Sequence, residues 1–276
     1  MPVYSHSRLE TFENCPLKYK FRYIERIEKL EQSVEQFLGS RVHEVLKKLY
    51  DDLLLEKLDT LDELLEFYAA EWSKNWGPHV RIVRAGMTER NYFDYGAKCL
   101  QNYYTQRRPF RQAQTLGTET HLTFPLDGDG KYKLRGYVDR IARRADGTIE
   151  IHDCKTSRTL PGQQQADADR QLALYQIGVE RNWPEARSVE LLWHYVAFST
   201  TLRSRRSPEQ LVQLRENTIG LIDRIETTTQ FEPRRSILCG WCEYKPDCPI
   251  WRHPDAVAAL PLAQFKANDG VRLADE

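Results

Sequence analysis

Residues 148–156 read TIEIHDCKT, an apolar strand that turns to acid and lysine within its last few residues. Side chains alternate faces along a strand, so Ile149, Ile151, Asp153 and Lys155 point one way. The apolar half requires a buried sheet, and the charged end requires that the sheet finish at an accessible rim. Upstream, YKLRGYVDRIARR ends at an Ala145-Asp146-Gly147 turn, which predicts an antiparallel neighbour. Alternation there puts Tyr137, Asp139 and Ile141 on one face. The short turn lets Asp139 and Asp153 meet across adjacent strands. Two carboxylates converging at a sheet edge form an oxygen-rich site for Mg²⁺ or Mn²⁺, ions that hold a phosphate and activate water. A neighbouring ammonium can orient that water and stabilise charge on the phosphoryl oxygens. A bare D-x-K tripeptide is more often a strand-end salt bridge, so the rest of the chain has to decide.

Helical periodicity is interrupted at Cys15-Pro16 within residues 5–23, then recurs over 39–55, 60–76 and 88–108. Beyond Thr115, THLTFPL and the DGDG at 127–130 lead into YKLRGYVDRIARR as a hairpin. A helix over 164–182, a strand over 188–198 and a helix over 208–227 complete the order. The expected class is α/β with a mixed sheet and a helical insertion. The residues after Pro254 read as a loose tail. No apolar run spans a membrane, no apolar signal core opens the chain, and no Walker A loop is present. These absences predict a cytoplasmic protein that binds neither membrane nor nucleotide. Lys+Arg and Asp+Glu both total 40, so bulk charge neither requires nor forbids nucleic acid. Arginines do cluster locally, at 107, 108 and 111, at 140, 143 and 144, and at 203, 205 and 206.

Six cysteines in such a chain are not expected to form disulfides. Cys99 and Cys154 lie in amphipathic and apolar stretches. Cys239, Cys242 and Cys248 form C-x2-C-x5-C, a soft-metal pattern lacking one ligand, and Cys15 is the candidate fourth. Four thiolates suit zinc and iron–sulfur equally.

An acid on one strand followed by D/E-x-K on the next resembles the PD-(D/E)XK nuclease superfamily. The RecB-like branch adds G-x-x-D-R-I, matched by Gly136 to Ile141; Q-x-x-x-Y, matched by Gln171 and Tyr175; and G-x-x-x-H, matched by Gly39 and His43. Four motifs in the right order make the resemblance specific. Val138 stands where the superfamily name has proline, a change frequent in this branch. The resemblance implies a restriction-endonuclease-like αβββαβ core in one domain over 1–253. Within it, 40–112 is the helical insertion, 114–198 the catalytic sheet and helix, and 239–248 the cysteine segment, with a tail at 254–276. It implies that His43, Asp139 and Asp153 ligate the metal with help from the Cys154 carbonyl. Lys155 would position the attacking water, and Gln171 and Tyr175 would contact DNA phosphate or brace the site. Glu119 is a candidate auxiliary acid, although a solvated strand residue is the commoner reading.

The N-terminal S-x-S-R-L-x-x-F-x-x-C-P-x-K-Y-x-F pattern and the cysteine layout are similar to the iron-staple nucleases, among them AddB-type and CRISPR adaptation exonucleases. That similarity implies a [4Fe–4S] cluster on Cys15, Cys239, Cys242 and Cys248, ahead of zinc. It further implies DNA that is single-stranded or has a free end, and a helicase or CRISPR integrase as partner. The competing expectation is a DNA-binding or assembly subunit with a silent or partner-activated site.

Overall fold

The computed structural model describes residues 2–252, so the expected tail at 254–276 lies outside the described residues. The chain begins with α1 (His6–Asn14), capped by Ser5, and α2 (Pro16–Tyr19), which continues into a wider turn over Lys20–Ile24. The break between them falls at Cys15, as Pro16 dictates. A two-residue strand β1 (Gln32–Ser33) precedes α3 (Val34–Leu54), which starts five residues before the periodicity predicts because Ser33 supplies its N-cap. Val34, Phe37, Leu38, Val42, Val45, Leu46 and Leu49 form its buried stripe. The helix α4 (Leu61–Asn75) follows, then β2 (Val80–Arg81), which pairs with β1, and α5 (Glu89–Arg107). Capping boxes at Thr60/Glu63 and Thr88/Asn91 set the starts of α4 and α5.

The main sheet comprises β3 (Gln114–Pro125), β4 (Lys133–Arg143), β5 (Ile149–Lys155), β6 (Val189–Tyr195) and β7 (Thr200–Ser204), in that spatial order. Within this sheet, among the described residues, β5 and β6 pair in parallel and the other neighbours antiparallel, so the sheet is mixed. The crossover between them carries α6 (Gln163–Ala168) and α7 (Gln171–Asn182); α8 (Pro208–Thr227) follows β7. Each face of the sheet has its own core. On one, Ile141, Ile149 and Ile151 pack with Leu174 and Ile177 of α7 and Ile222 of α8. On the other, α3, α4 and α5 bury Tyr68, Trp72, Tyr92 and Tyr103 together with Cys154. The fold is α/β with a mixed sheet, as the pattern predicts.

Three local readings need correction. The helix expected over 164–182 is two helices that part at Asp169-Arg170, where Arg206 Nη2 donates to the carbonyls of Ala166 (3.1 Å) and Asp169 (2.9 Å). The strand expected over 188–198 ends at Tyr195 in a tight turn, Val196–Phe198, and reverses into β7. Finally, Tyr137 and Ile141 do not share a face, since Tyr137 is exposed and Ile141 wholly buried. The ladder is irregular between them. Glu119, on the facing strand opposite Asp139, has φ 42°, in the left-handed region, and the two form no ladder pair, so the regular pleat is interrupted at this step.

Candidate active site

Pairing between β4 and β5 stops at Arg140↔His152. Asp139 and Asp153 would be the next pair, so they stand where the strands fork. The backbone N–H of Cys154, released from the ladder, donates to Asp139 Oδ2 at 2.7 Å. The fork is thus closed by a carboxylate in place of a backbone bond, and the freed polar groups face a site instead of each other.

α3 supplies the third wall. Half-buried on this helix, His43 donates Nε2–H to the Cys154 carbonyl (2.7 Å), while its Nδ1 lies 3.4 Å from Asp139 Oδ2 and 3.9 Å from Glu119 Oε1. An imidazole with acceptors at both nitrogens holds two protons. Burial opposes that charge, but Asp139, Asp153 and the Cys154 carbonyl outweigh it and carry the His43 pKa up to about 9. Burial alone would raise the Asp139 carboxyl; the charge and hydrogen bond of His43 hold it below its usual value. Glu119 moves up instead, through burial and the neighbouring Asp139.

The opposite side of the fork belongs to α7. Lys155 Nζ lies 2.8 Å from Asp153 Oδ2 and donates to Gln171 Oε1 at 2.8 Å, while Gln171 Nε2 donates to Asp153 Oδ1 at 3.2 Å. These three side chains lock one another. Tyr175, one turn on, is buried, which pushes its hydroxyl up to about 12, and its ring packs on Gly136. A Cβ at residue 136 would sit 2.2 Å from a ring carbon of Tyr175, so the motif glycine is the space the tyrosine fills. Gly136→Ala is expected to lower stability by about 1–3 kcal/mol through this overpacking, read from urea unfolding of the two proteins.

Among the described residues, His43, Glu119 and Asp139 place ligand atoms within 4.8 Å of one another. Two carboxylates and an imidazole suit a small divalent cation. Asp153 is turned to Lys155 and is not in this trio, whereas Glu119, given only an auxiliary place from sequence, is. Counting back from the hairpin turn sets residue 119 opposite 139, the signal that finds it. An imidazole coordinates only in its neutral form, so a cation held by His43 would expel its proton on binding. Apparent Mn²⁺ affinity is therefore expected to rise with pH up to about 9. Calorimetric titration in buffers of different ionisation heat measures the proton released; affinity independent of pH would be the contrary result.

The family model of the PD-(D/E)XK nuclease superfamily matches residues 3–249, which contain the whole fork. The chain belongs to that superfamily. As a member it is a nuclease, with DNA as its substrate, and this class of nuclease usually works with divalent metal ions. A crystal structure of a Eubacterium rectale protein named as a candidate exonuclease shares the nuclease's fold. The TM-score is 0.52 at 14% identity, with 96% of this chain and 91% of that one covered. A second structure, SSO0001, is 21% identical over 77% of this chain and 98% of its own, with a TM-score of 0.36. Comparison with curated protein sequences finds no match.

Cys15, Cys239, Cys242 and Cys248 of the nuclease do not line the fork cavity. The 237–252 segment folds back on the N-terminus through Lys18–Glu243 (2.8 Å), Lys29–Asp247 (2.6 Å) and the Tyr244 hydroxyl on the Ile27 carbonyl (2.9 Å). The Arg234 N–H points at Cys15 Sγ and the Ser236 N–H at Cys239 Sγ, each at 3.4 Å. Among the described residues, the cysteine sulfurs do not converge as a metal-ligand group within 4.8 Å. No helix of the described residues is long and apolar enough to cross a membrane.

Proposed function

We propose that this nuclease is a Mg²⁺- or Mn²⁺-dependent deoxyribonuclease that degrades single-stranded DNA from an end, in the cytoplasm, during repair, recombination or CRISPR adaptation. The observation that carries the reading is the fork, where His43, Glu119 and Asp139 bring ligand atoms together and the Asp153–Lys155 pair stands beside them. His43, Glu119 and Asp139 would hold the cation, with Asp153 and the Cys154 carbonyl beside it. When bound, such an ion polarises the phosphate and makes water more acidic. Lys155 stays an ammonium, because the attraction of Asp153 outweighs the cost of burial. It is therefore not the base. It orients the attacking water and stabilises negative charge on the phosphoryl oxygens. Gln171 fixes that ammonium, and Tyr175 braces the helix against Gly136.

The single-strand and end-directed parts of the proposal rest on the motif and cysteine resemblance, as does a helicase or integrase partner. The same resemblance supports a [4Fe–4S] cluster on Cys15, Cys239, Cys242 and Cys248. Backbone N–H groups aimed at Cys15 and Cys239 are suited to stabilise thiolate ligands.

The test is digestion of end-labelled linear strands, duplexes and closed single-stranded circles by anaerobically purified protein with Mn²⁺, Mg²⁺ or EDTA. Metal-dependent loss of linear strands with circles spared is expected, from a brown protein carrying about four irons per chain. Intact DNA after incubation with an iron-loaded preparation would favour a binding or partner-activated subunit.

A further inference from the structure

We propose that Tyr137 and His121, followed by Arg135 and Lys133, form a track beside the fork that takes an unpaired DNA strand, base on ring and phosphate on cation. The proposal rests on the nuclease reading above and names how the substrate is held. The cavity at the fork, lined by His43, Glu119, Asp139 and Arg140, measures about 20 Å³. That admits an ion or a water but not a nucleotide, so the strand has to be held on the neighbouring surface.

The β3–β4 hairpin provides that surface. Leu122, Phe124, Leu134, Gly136 and Val138 are buried, Gly136 against Tyr175 and Phe124 beside Gly178 of α7. The intervening His121, Thr123, Lys133, Arg135 and Tyr137 are all exposed, on the sheet face where α3 brings in His43. Register sets His121 opposite Tyr137, Thr123 opposite Arg135 and Pro125 opposite Lys133. Moving outward from Asp139, each row lies about 6.7 Å beyond the last.

Tyr137 is 61% exposed in mid-strand, and its ring lies 5.0 Å from the His121 ring. An aromatic ring open to water, with a second ring tilted 46° beside it, is a stacking site for an unpaired base, whereas a duplex keeps its bases stacked on each other. Among the described residues, neither Arg135 nor Lys133 has a carboxylate partner. Members of each arginine cluster are engaged elsewhere: Arg107 meets His194, Arg140 bonds Thr115 and covers the Tyr50 ring, and Arg203 and Arg205 hold Glu190. In the large cleft near the N-terminus, Lys18, Lys29 and Arg81 are likewise ion-paired.

The test uses the full chain carrying Lys155→Ala to block cleavage, and measures Kd for fluorescent oligothymidylate, its duplex, and the same strand with one abasic nucleotide near the end. Adding Tyr137→Ala is expected to weaken single-strand binding about tenfold. Tyr137→Phe restores it, duplex affinity is unmoved, and the abasic penalty disappears in the alanine protein. Arg135→Ala lowers the salt slope by about 0.7. Single-strand Kd unchanged by Tyr137→Ala, or a loss that Tyr137→Phe does not restore, overturns the track. Should Tyr137→Ala melt early, the abasic and Arg135→Ala measurements decide alone: no abasic penalty in the parent and an unchanged slope overturn it. If wild type cleaves normally while the track variants show no effect, only the track fails. If wild type neither cleaves nor binds DNA, the nuclease reading fails first and the track with it.

Discussion

Replacing Lys155 with alanine is expected to slow DNA cleavage by about 10²–10³-fold, the usual cost of removing one preorganised donor of positive charge. The ammonium lies 2.8 Å from both Asp153 Oδ2 and Gln171 Oε1, so it is fixed before substrate arrives and reorganises little during reaction. Lys155→Arg should not rescue the rate, because a planar fork cannot stand where Gln171 and Asp153 hold a point charge. The change also leaves Asp153, 4% exposed, without its cation. Breaking such a pair costs about 3 kcal/mol in the metal-free protein, measurable by denaturant unfolding. Single-turnover rates at saturating metal separate the two effects. A rate within twofold of wild type would remove Lys155 from the chemistry.

Acidification is expected to destabilise the protein steeply below about pH 6.5, well before the carboxylates titrate. His152 and His194 stack 5.1 Å apart beneath the fork, with Nδ1 of His152 2.8 Å from Nε2 of His194. Burial, then Arg140 beside His152, and for His194 burial, His152 and Arg107, hold both pKa values well below the ordinary histidine value. His6 behaves alike, pushed down to about 3 by burial and by Arg170 and Lys155. Unfolded, all three take up protons as pH falls through 6.5; folded, they stay neutral. The stability they contribute is present above 6.5 and lost below it, by about 2 kcal/mol per histidine between pH 7 and pH 5. His43 shifts the other way, so its contribution is complete below 6.5 and is lost only as pH rises towards 9. His194→Asn, which keeps polar partners for Arg107 and Thr201, should remove about one histidine's share of the slope in unfolding measured across pH. An identical slope would show that the pair does not control acid stability.

What could be read from sequence followed from how local its determinants are. The bounds of α8 coincide with the expected 208–227 because Ser207 caps it and Pro208 starts it. The rise from core to charge along β5 is visible because Ile149 and Ile151 precede Asp153 and Lys155 in period two. Strand β7 escaped because TTLRS has little apolar content of its own and borrows its order from pairing with Leu191–Tyr195. The break in the crossover helix is made by Arg206, far along the chain, with no glycine or proline to announce it. Glu119 was underrated because its place depends on hairpin register and a left-handed backbone, neither of which composition reveals. Two of the clustered arginines work in the interior, which their spacing does not show: Arg107 meets His194, and Arg140 meets His152 and the Tyr50 ring.

The most direct test of the central claim, that the fork is a metal site used to cut DNA, is the cleavage rate of a linear single strand against Mn²⁺ concentration, for wild type and Asp139→Asn. Asparagine keeps an oxygen for the Cys154 N–H while removing the charge. The account predicts saturable, Mn²⁺-dependent cleavage by wild type and at least a 10²-fold lower rate for the variant at every concentration. Equal rates for the two proteins would contradict it.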